Sequence, residues 1–411
     1  MTAPWLTIVG IGEDGVAGLS AGAKEALSQA EFVLGGDRHH DLTGSSDATR
    51  LRWPTPFDAM IDAILAHRGR RFVVLATGDP LWYSVGARIA QAVPVAEIVY
   101  HPQISAFQWA ACRMGWSVAD VETLTAHGRP VEQIVPFFWP GARLLVLTAG
   151  RETPGDVARL LTARGYGRSQ IVVLGNLGGP QELRMDGVAA DWAQAMPEVP
   201  PFHTLAVTCL GTSEPLIGRL PGLPDSAFSH DGKMTKRDVR AITLARLMPA
   251  RKAVLWDIGT GCGSIAVEWM RAARDAAAIG FDSDTGRLAL ARDNAQRLGT
   301  PGLTLVQGLV PEILREIPAP QGTKPDYRRP DAVFVGGGLS DDVVEIALDR
   351  LRPLGRLVAN AVTLESEACL IALHRRYGGE LTRIAVAHAA PVGEMTGWRP
   401  AMPVTQWSLQ R

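Results

Sequence analysis

Trp256-Asp257-Ile258-Gly259-Thr260-Gly261-Cys262-Gly263-Ser264 is the stretch on which the fold turns. It closes the apolar run Val254–Trp256 and leads into the helical pattern IAVEWMRAAR. Glycines at a strand-to-helix turn let the backbone approach a ligand with no Cβ in the way. The spacing here is G-x-G-x-G, and Ser264 stands where a dinucleotide fingerprint would need its last glycine. A nicotinamide oxidoreductase therefore fails on spacing. Asp257, two places before the first glycine, suits a cationic or zwitterionic ligand better than a pyrophosphate. Asp282 ends the next apolar run, Ile279–Phe281, and a carboxylate there can accept both hydroxyls of a ribose. Either aspartate alone could be an ordinary turn or capping residue. Together, at successive strand ends, they favour a nucleoside site.

Outward from this loop, short apolar runs alternate with helical segments along the whole chain, the pattern of parallel α/β layers. Strands are expected at Leu6–Ile11, Phe72–Ala76, Leu144–Thr148 and Ile171–Leu174, with a helix at Pro154–Ala163. The later half repeats the pattern at Val254–Trp256, Ile279–Phe281, Ala332–Val335 and Leu357–Ala359. Between the halves, a stretch dense in Pro, Gly, Ser and Asp predicts a linker at 223–231, separating domains 1–222 (lobes about 1–115 and 116–222) and 232–411. An exposed insertion is expected at Ile317–Pro330.

The chain has 411 residues, 46% hydrophobic and 20% charged, with mean hydropathy +0.06, enough apolar material for two or three folded domains. No apolar run reaches the ~18 residues of a membrane span. MTAPWLTIVGIG lacks a basic leader, so a cytoplasmic location is expected. Lys and Arg total 41 against 42 Asp and Glu, a formal charge of −1, which argues against a long nucleic acid as partner. Cys112, Cys209, Cys262 and Cys369 are too scattered for a metal site, and no metal is expected.

The later half resembles the class I methyltransferase fold, a Rossmann-like α/β sheet. More narrowly, MTKRDVRAITLARL, DIGTGCGSIAVEW, FDSD, GLVPEIL, DAVFVGGG and RLRPLGRLVANAVTLES look like the corrin-pathway decarboxylating methyltransferase family. That resemblance implies S-adenosylmethionine as cofactor. It places Thr235 and Gly259, Thr260, Gly261, Cys262 and Gly263 at the methionine portion, Asp282 at the ribose and Gly308 near the adenine. Leu309 stands where many such enzymes carry an acidic residue. Thr235 with Asp238 three residues on also reads as a capping-box-like helix start, with Val239, Ile242 and Leu247 facing inward. Lys236 and Arg240 are candidates to meet substrate carboxylates.

Three loops of the first half follow apolar runs: Gly10-Ile11-Gly12-Glu13-Asp14-Gly15, Thr77-Gly78-Asp79-Pro80, and HPQISAFQWAA, which enters a helix at Ser105. With LTAGRETPGDVARLL and VVLGNLGGPQE they resemble the tetrapyrrole methylase fold of two α/β lobes. The resemblance implies a second S-adenosylmethionine site, carried here by Gly12, Gly78, Asp79, Ser105 and Ala106. His101-Pro102-Gln103 replaces the Pro-Gly pair common before Ile-Ser in that family.

Joined in one chain, the two resemblances imply methylation of a corrin precursor, precorrin-6B (6Y), at carbons 5 and 15. Loss of carbon dioxide from an acetate arm would accompany it, giving precorrin-8X in cobalamin biosynthesis. The second half would take the decarboxylation and carbon 15, the first half carbon 5. Glu365 in the TLES segment is a candidate proton handler, and a homo-oligomer is expected. An RNA methyltransferase and a non-catalytic sensor of the cofactor are the rival readings. The near-neutral charge weighs against the first, and glycine loops in both halves against the second.

Overall fold

Leu6–Ile11 is apolar along nearly its whole length because both faces are covered, as the central strand of a parallel sheet requires. With β1 (Leu6–Ile11), this sheet contains β2 (Phe32–Gly35), β3 (Thr49–Arg52), β4 (Phe72–Thr77) and β5 (Ile98–His101), in the order β3-β2-β4-β1-β5. All of its pairings are parallel. A second sheet is built from β6 (Glu122–Thr125), β7 (Arg143–Leu147), β8 (Gln170–Gly175), β9 (Leu183–Val188) and β10 (His203–Thr208), ordered β6-β7-β10-β8-β9. Only β6 and β7 run parallel there. These two sheets belong to one compact unit, Met1–Pro215, and a second unit spans Leu216–Arg411. The computed structural model describes residues 4–211, 217–317, 319 and 325–411.

The second unit contains β11 (Val254–Ile258), β12 (Ala277–Asp282), β13 (Thr304–Gln307), β14 (Ala332–Val335), β15 (Arg356–Ala361), β16 (Glu380–Ile384), β17 (Ala387–Val392), β18 (Met395–Pro400) and β19 (Val404–Gln410). Seven of them form one sheet in the order β13-β12-β11-β14-β15-β19-β16, and β17 and β18 form a separate hairpin. The first five are parallel, while β19 runs antiparallel to both β15 and β16. The order reverses between β11 and β14, which puts the ligand crevice of an open α/β sheet beyond the carboxyl ends of those strands. Trp256, Trp269 and Trp407 are fully buried around this sheet. Each indole removes on the order of 150–250 Å² from water, about 4–6 kcal/mol before entropy is charged.

Four expectations need correction here. The stretch 223–231 is not a free linker: Leu223, Ala227 and Phe228 are buried with Met234, Cys262 and Val267 in a core of the second unit. The helix at Arg237–Leu247 starts without a side-chain cap, and its N-cap is Lys236, so Thr235 does not close a capping box. On that helix Val239, Thr243, Leu244 and Leu247 face inward, whereas Ile242 is 38% exposed. Of the expected insertion Ile317–Pro330, positions 318 and 320–324 lie outside the described residues. Tyr327 within it is tied to the core, its carbonyl accepting the Trp256 indole N–H at 2.6 Å.

Candidate functional sites

In the second unit the turn after β11 needs glycine for steric reasons. Gly259 has φ +70°, and a Cβ there would sit 2.6 Å from the Gly337 nitrogen. Gly336 and Gly337, in the loop after β14, both donate to the Ile258 carbonyl, at 2.8 and 3.3 Å. Two glycine loops are thus drawn together at the point where the strand order reverses. Gly261, φ +55°, has open space where its Cβ would stand. Gly263, φ +79°, begins the helix Ser264–Ala272.

Asp257 is almost fully buried at the end of β11. Its Oδ2 accepts from the Thr260 hydroxyl at 2.7 Å and from the Ala266 N–H at 3.1 Å. Its Oδ1 is buried with no partner among the described residues. Burial pushes this carboxyl up to about 6, offset in part by those two donors and reinforced by the Asp282 charge. A cationic group beside Oδ1 would restore the carboxylate. Asp282 receives the Gly261 N–H on Oδ2 at 2.9 Å and the Asp284 N–H on Oδ1 at 3.0 Å, and each oxygen keeps a second lone pair. The Gly308 N–H donates to the Asp282 carbonyl at 3.1 Å, and the side chain of Leu309 beyond it is exposed. Cys262 is buried in the same turn. Asp257, Gly259–Gly263, Asp282 and Gly308 are therefore brought together in one crevice whose features fit a zwitterionic nucleoside.

The other residues singled out in this half lie outside that hydrogen-bonded group. Thr235 is half-buried just before the helix Arg237–Leu247, next to Met234, which packs with Cys262. Lys236 is exposed. Arg240, expected to meet substrate, is corrected: it is 0% exposed. Its Nε donates to Glu268 at 2.6 Å, Nη1 to the Thr235 carbonyl at 2.6 Å and to Asp225 at 3.0 Å, and Nη2 to the Leu223 carbonyl. The cation is consumed in pinning 222–225 to the unit. Glu365 is exposed in the first turn of the helix Leu364–Tyr377, after β15, and among the described residues no hydrogen bond ties it to the crevice.

In the first unit the loops after β1, β4 and β5 converge. A Cβ at Gly10 would overlap the Gly78 carbonyl oxygen and stand 2.8 Å from the Gln103 nitrogen. Gly78, φ +61°, leaves its own missing Cβ 3.0 Å from the Ser105 Cα. Gly12, Gly78 and Ala106 line a cleft together with Glu13, Arg38, Thr77, Leu174, Leu177, Phe202 and His203. Ser105 is buried with its hydroxyl committed to capping the helix Ala106–Met114, where it accepts the Gln108 N–H. The carboxylate of Asp79 accepts the Leu81 N–H at 2.7 Å within its own turn. Both can reach a ligand through backbone.

Among the described residues, no group of three or more His, Cys, Asp or Glu is placed to hold a metal, and no helix is long and apolar enough to cross a membrane.

Two family models match the chain: tetrapyrrole (corrin/porphyrin) methylases over residues 5–192, and a precorrin methyltransferase domain over 226–411. A relative from Sinorhizobium sp, "Precorrin-6Y C(5,15)-methyltransferase [decarboxylating]", is 43% identical over 99% of this chain and 97% of its own length. The chain belongs to the precorrin-6Y C(5,15)-methyltransferase family. Shorter relatives match parts of it. A "Cobalt-precorrin-7 C(5)-methyltransferase" from Salmonella typhimurium is 32% identical over 46% of this chain and 94% of its own length. A "Probable cobalt-precorrin-6B C(15)-methyltransferase (decarboxylating)" from Pyrobaculum calidifontis is 33% identical over 46% of this chain and 96% of its own.

For a member of this family of S-adenosylmethionine-dependent methyltransferases, several cleft residues of the first unit escaped sequence reasoning. Arg38 pairs with Glu13, lies over the Phe202 ring at 3.8 Å, and is pushed down to about 10 by burial. His39, outside the cleft lining, is held at about 4 by burial and by the Arg38 and His40 charges, and its Nε2 meets the hydroxyl of the cleft residue Thr77 at 2.9 Å. Phe202 and His203 come from β10 and its approach, far along the chain from the glycine loops. Nothing in a single sequence links them.

Proposed function

We propose that this chain transfers methyl groups from S-adenosylmethionine to carbons 5 and 15 of precorrin-6Y (6B) and removes carbon dioxide from one acetate arm, giving precorrin-8X, with one donor site in each unit. The observation that carries this reading is that one chain holds glycine turns at strand ends in two differently built α/β units, around Gly10, Gly12 and Gly78 in the first and around Gly259, Gly261 and Gly263 in the second. The full-length relative and the two half-length relatives named for carbon 5 and carbon 15 support it. The second unit is assigned carbon 15 and the decarboxylation, the first unit carbon 5.

When bound, the cofactor supplies an electrophilic methyl group on sulfonium. In the second unit, Asp282 would hold the ribose hydroxyls, Asp257 the cationic amino group, and the backbone of Gly259, Thr260, Gly261, Cys262 and Gly263 the methionine portion. Thr235 would border that portion and Gly308 the adenine. In the first unit, Gly12, Gly78, Asp79, Ser105 and Ala106 would hold the donor mainly through backbone groups. The reduced macrocycle is itself an electron-rich carbon nucleophile. These residues therefore contribute chiefly by holding donor and acceptor in line, an effect that can supply up to ~7–11 kcal/mol.

Exposed Lys236 is the remaining candidate for the substrate's carboxylate arms. Glu365 is the candidate proton handler for decarboxylation, and Glu365→Gln leaving carbon dioxide release at the wild-type rate would dismiss it. The formal charge of −1 supports a small tetrapyrrole rather than RNA as substrate. A homo-oligomer is also proposed, supported by the exposed Val392, Met395 and Trp398 on the β17–β18 hairpin. Sedimentation at the monomer mass would dismiss that part. The decisive assay incubates the whole chain with precorrin-6B and labelled donor. Mass spectrometry is expected to show two added methyl groups and loss of one carbon dioxide, and a single added methyl would refute the reading.

A further inference from the structure

His203 opens β10 and is 6% exposed, yet it lines the first unit's cleft together with Gly12, Gly78 and Ala106. Its Nδ1 lies 2.8 Å from the Pro200 carbonyl oxygen. A carbonyl can only accept, so Nδ1 carries the hydrogen, and in the neutral ring Nε2 is left with a lone pair. That Nε2 is buried and has no hydrogen-bond partner among the described residues. Burial, the largest cause, and the Arg151 charge lower the affinity of this imidazole for a proton, against the opposing Pro200 contact. The ring is therefore a fixed acceptor. A buried acceptor left unsatisfied costs roughly 1–3 kcal/mol, so its place on a cleft wall is better matched to a donor brought by the ligand.

From this geometry we infer that His203 Nε2 accepts a hydrogen bond from an N–H group of the ligand bound in the first unit's cleft. The inference rests on the proposed donor site in this unit and adds to it a side chain that reads the ligand. Two N–H sources share this chemistry: the amino group of the cofactor's adenine and a pyrrole-type nitrogen of the macrocycle. The flanking Leu174 and Leu177 give an apolar wall suited to either flat ring. Glycine backbone alone would position a ligand here, and His203 adds selectivity, because a ligand lacking the N–H would leave the lone pair unpaired.

The test uses the whole chain carrying Asp282→Ala, so that binding of S-adenosylhomocysteine reports on the first unit. His203→Asn keeps a donor for the Pro200 carbonyl and deletes the distal acceptor, while His203→Gln keeps an acceptor at the distal position and gives up the proximal donor. If adenine is the source, His203→Asn weakens S-adenosylhomocysteine about tenfold and His203→Gln stays near wild type. If the macrocycle is the source, the same pattern is seen in the KM for precorrin in the first unit's methyl transfer, with S-adenosylhomocysteine affinity unchanged.

Asn and Gln variants with equal losses would indicate a merely structural ring and overturn the inference, as would no loss in either quantity. Without substitution, the nitrogen-15 resonance of His203 Nε2 in the wild-type chain should shift when one of the two ligands is added. No shift with either overturns the inference even if a variant fails to fold. A first unit that takes up no S-adenosylhomocysteine at all is a different result, and it removes the two-donor reading together with this one.

Discussion

Replacing Arg240 with alanine should destabilise the second unit severely without acting through substrate. The guanidinium is wholly buried, and its loss leaves Glu268, itself 1% exposed, with the Gly222 and Leu223 N–H groups at 2.7 and 3.0 Å as its hydrogen-bond donors among the described residues. The Thr235 and Leu223 carbonyls lose their donor as well, and the Phe228 ring loses the cation 4.9 Å from its centroid. Removing one partner of a buried ion pair costs about 3–5 kcal/mol, most of it the price of the charge left behind. For a unit of this size each kcal/mol moves the melting temperature by about 2–4 °C, so the calorimetric transition of the second unit should fall by roughly 6–20 °C. Glu268→Gln in the same chain should recover part of the loss, since the stranded charge is then gone. Arg240→Lys should not, because one ammonium cannot reach four acceptors in different directions. A transition within about 2 °C of wild type, accompanied by a raised KM for the macrocycle, would refute this account and return Arg240 to the substrate.

Three further outcomes follow from the two clefts. Gly10→Ala drives a Cβ into the Gly78 carbonyl, so it should abolish the first unit's methyl transfer and leave carbon dioxide release intact; equal loss of both activities in product analysis would contradict the assignment of separate sites. Gly259→Ala combines a φ of +70° with a Cβ 2.6 Å from the Gly337 nitrogen and should weaken donor binding in the second unit by more than tenfold, about 1.4 kcal/mol or more, as read by calorimetry. Asp257 has a folded-state value of about 6 against 3.8, so its ionisation opposes folding: the penalty is nil below about pH 4, grows between 4 and 6, and is complete above 6 at about 3 kcal/mol. Urea unfolding of the second unit should show stability falling through that window more steeply in the wild type than in Asp257→Asn, and a steeper fall in the variant would reverse the sign of the argument.

What could be read from the sequence was what local chemistry writes locally. Leu6–Ile11 and Ala332–Val335 are strands end to end because each is an apolar run closed by a glycine turn or its equivalent. The crevice residues Asp257, Gly259–Gly263 and Asp282 were legible because carboxylates and glycines sit at fixed offsets from such runs. Strands on the margins were not. Thr49–Arg52 and Leu183–Val188 are sheet-edge strands with mostly exposed or half-exposed side chains, so they carry little apolar signal. Arg240 looked like a surface cation because its partner Glu268 lies 28 residues away on another helix. The segment 223–231 looked like a linker because its Pro, Asp and Ser outnumber the two or three apolar residues that anchor it. His203 carried no local mark at all. Its neighbours Gly12 and Gly78 lie more than a hundred residues upstream, and only the fold supplies that proximity.

Calorimetric titration of the intact chain with S-adenosylhomocysteine tests most directly whether two donor clefts exist. Two equivalents should bind per chain, with Asp282→Ala abolishing one and Gly10→Ala the other. A single equivalent, lost entirely on Asp282→Ala, would contradict the account.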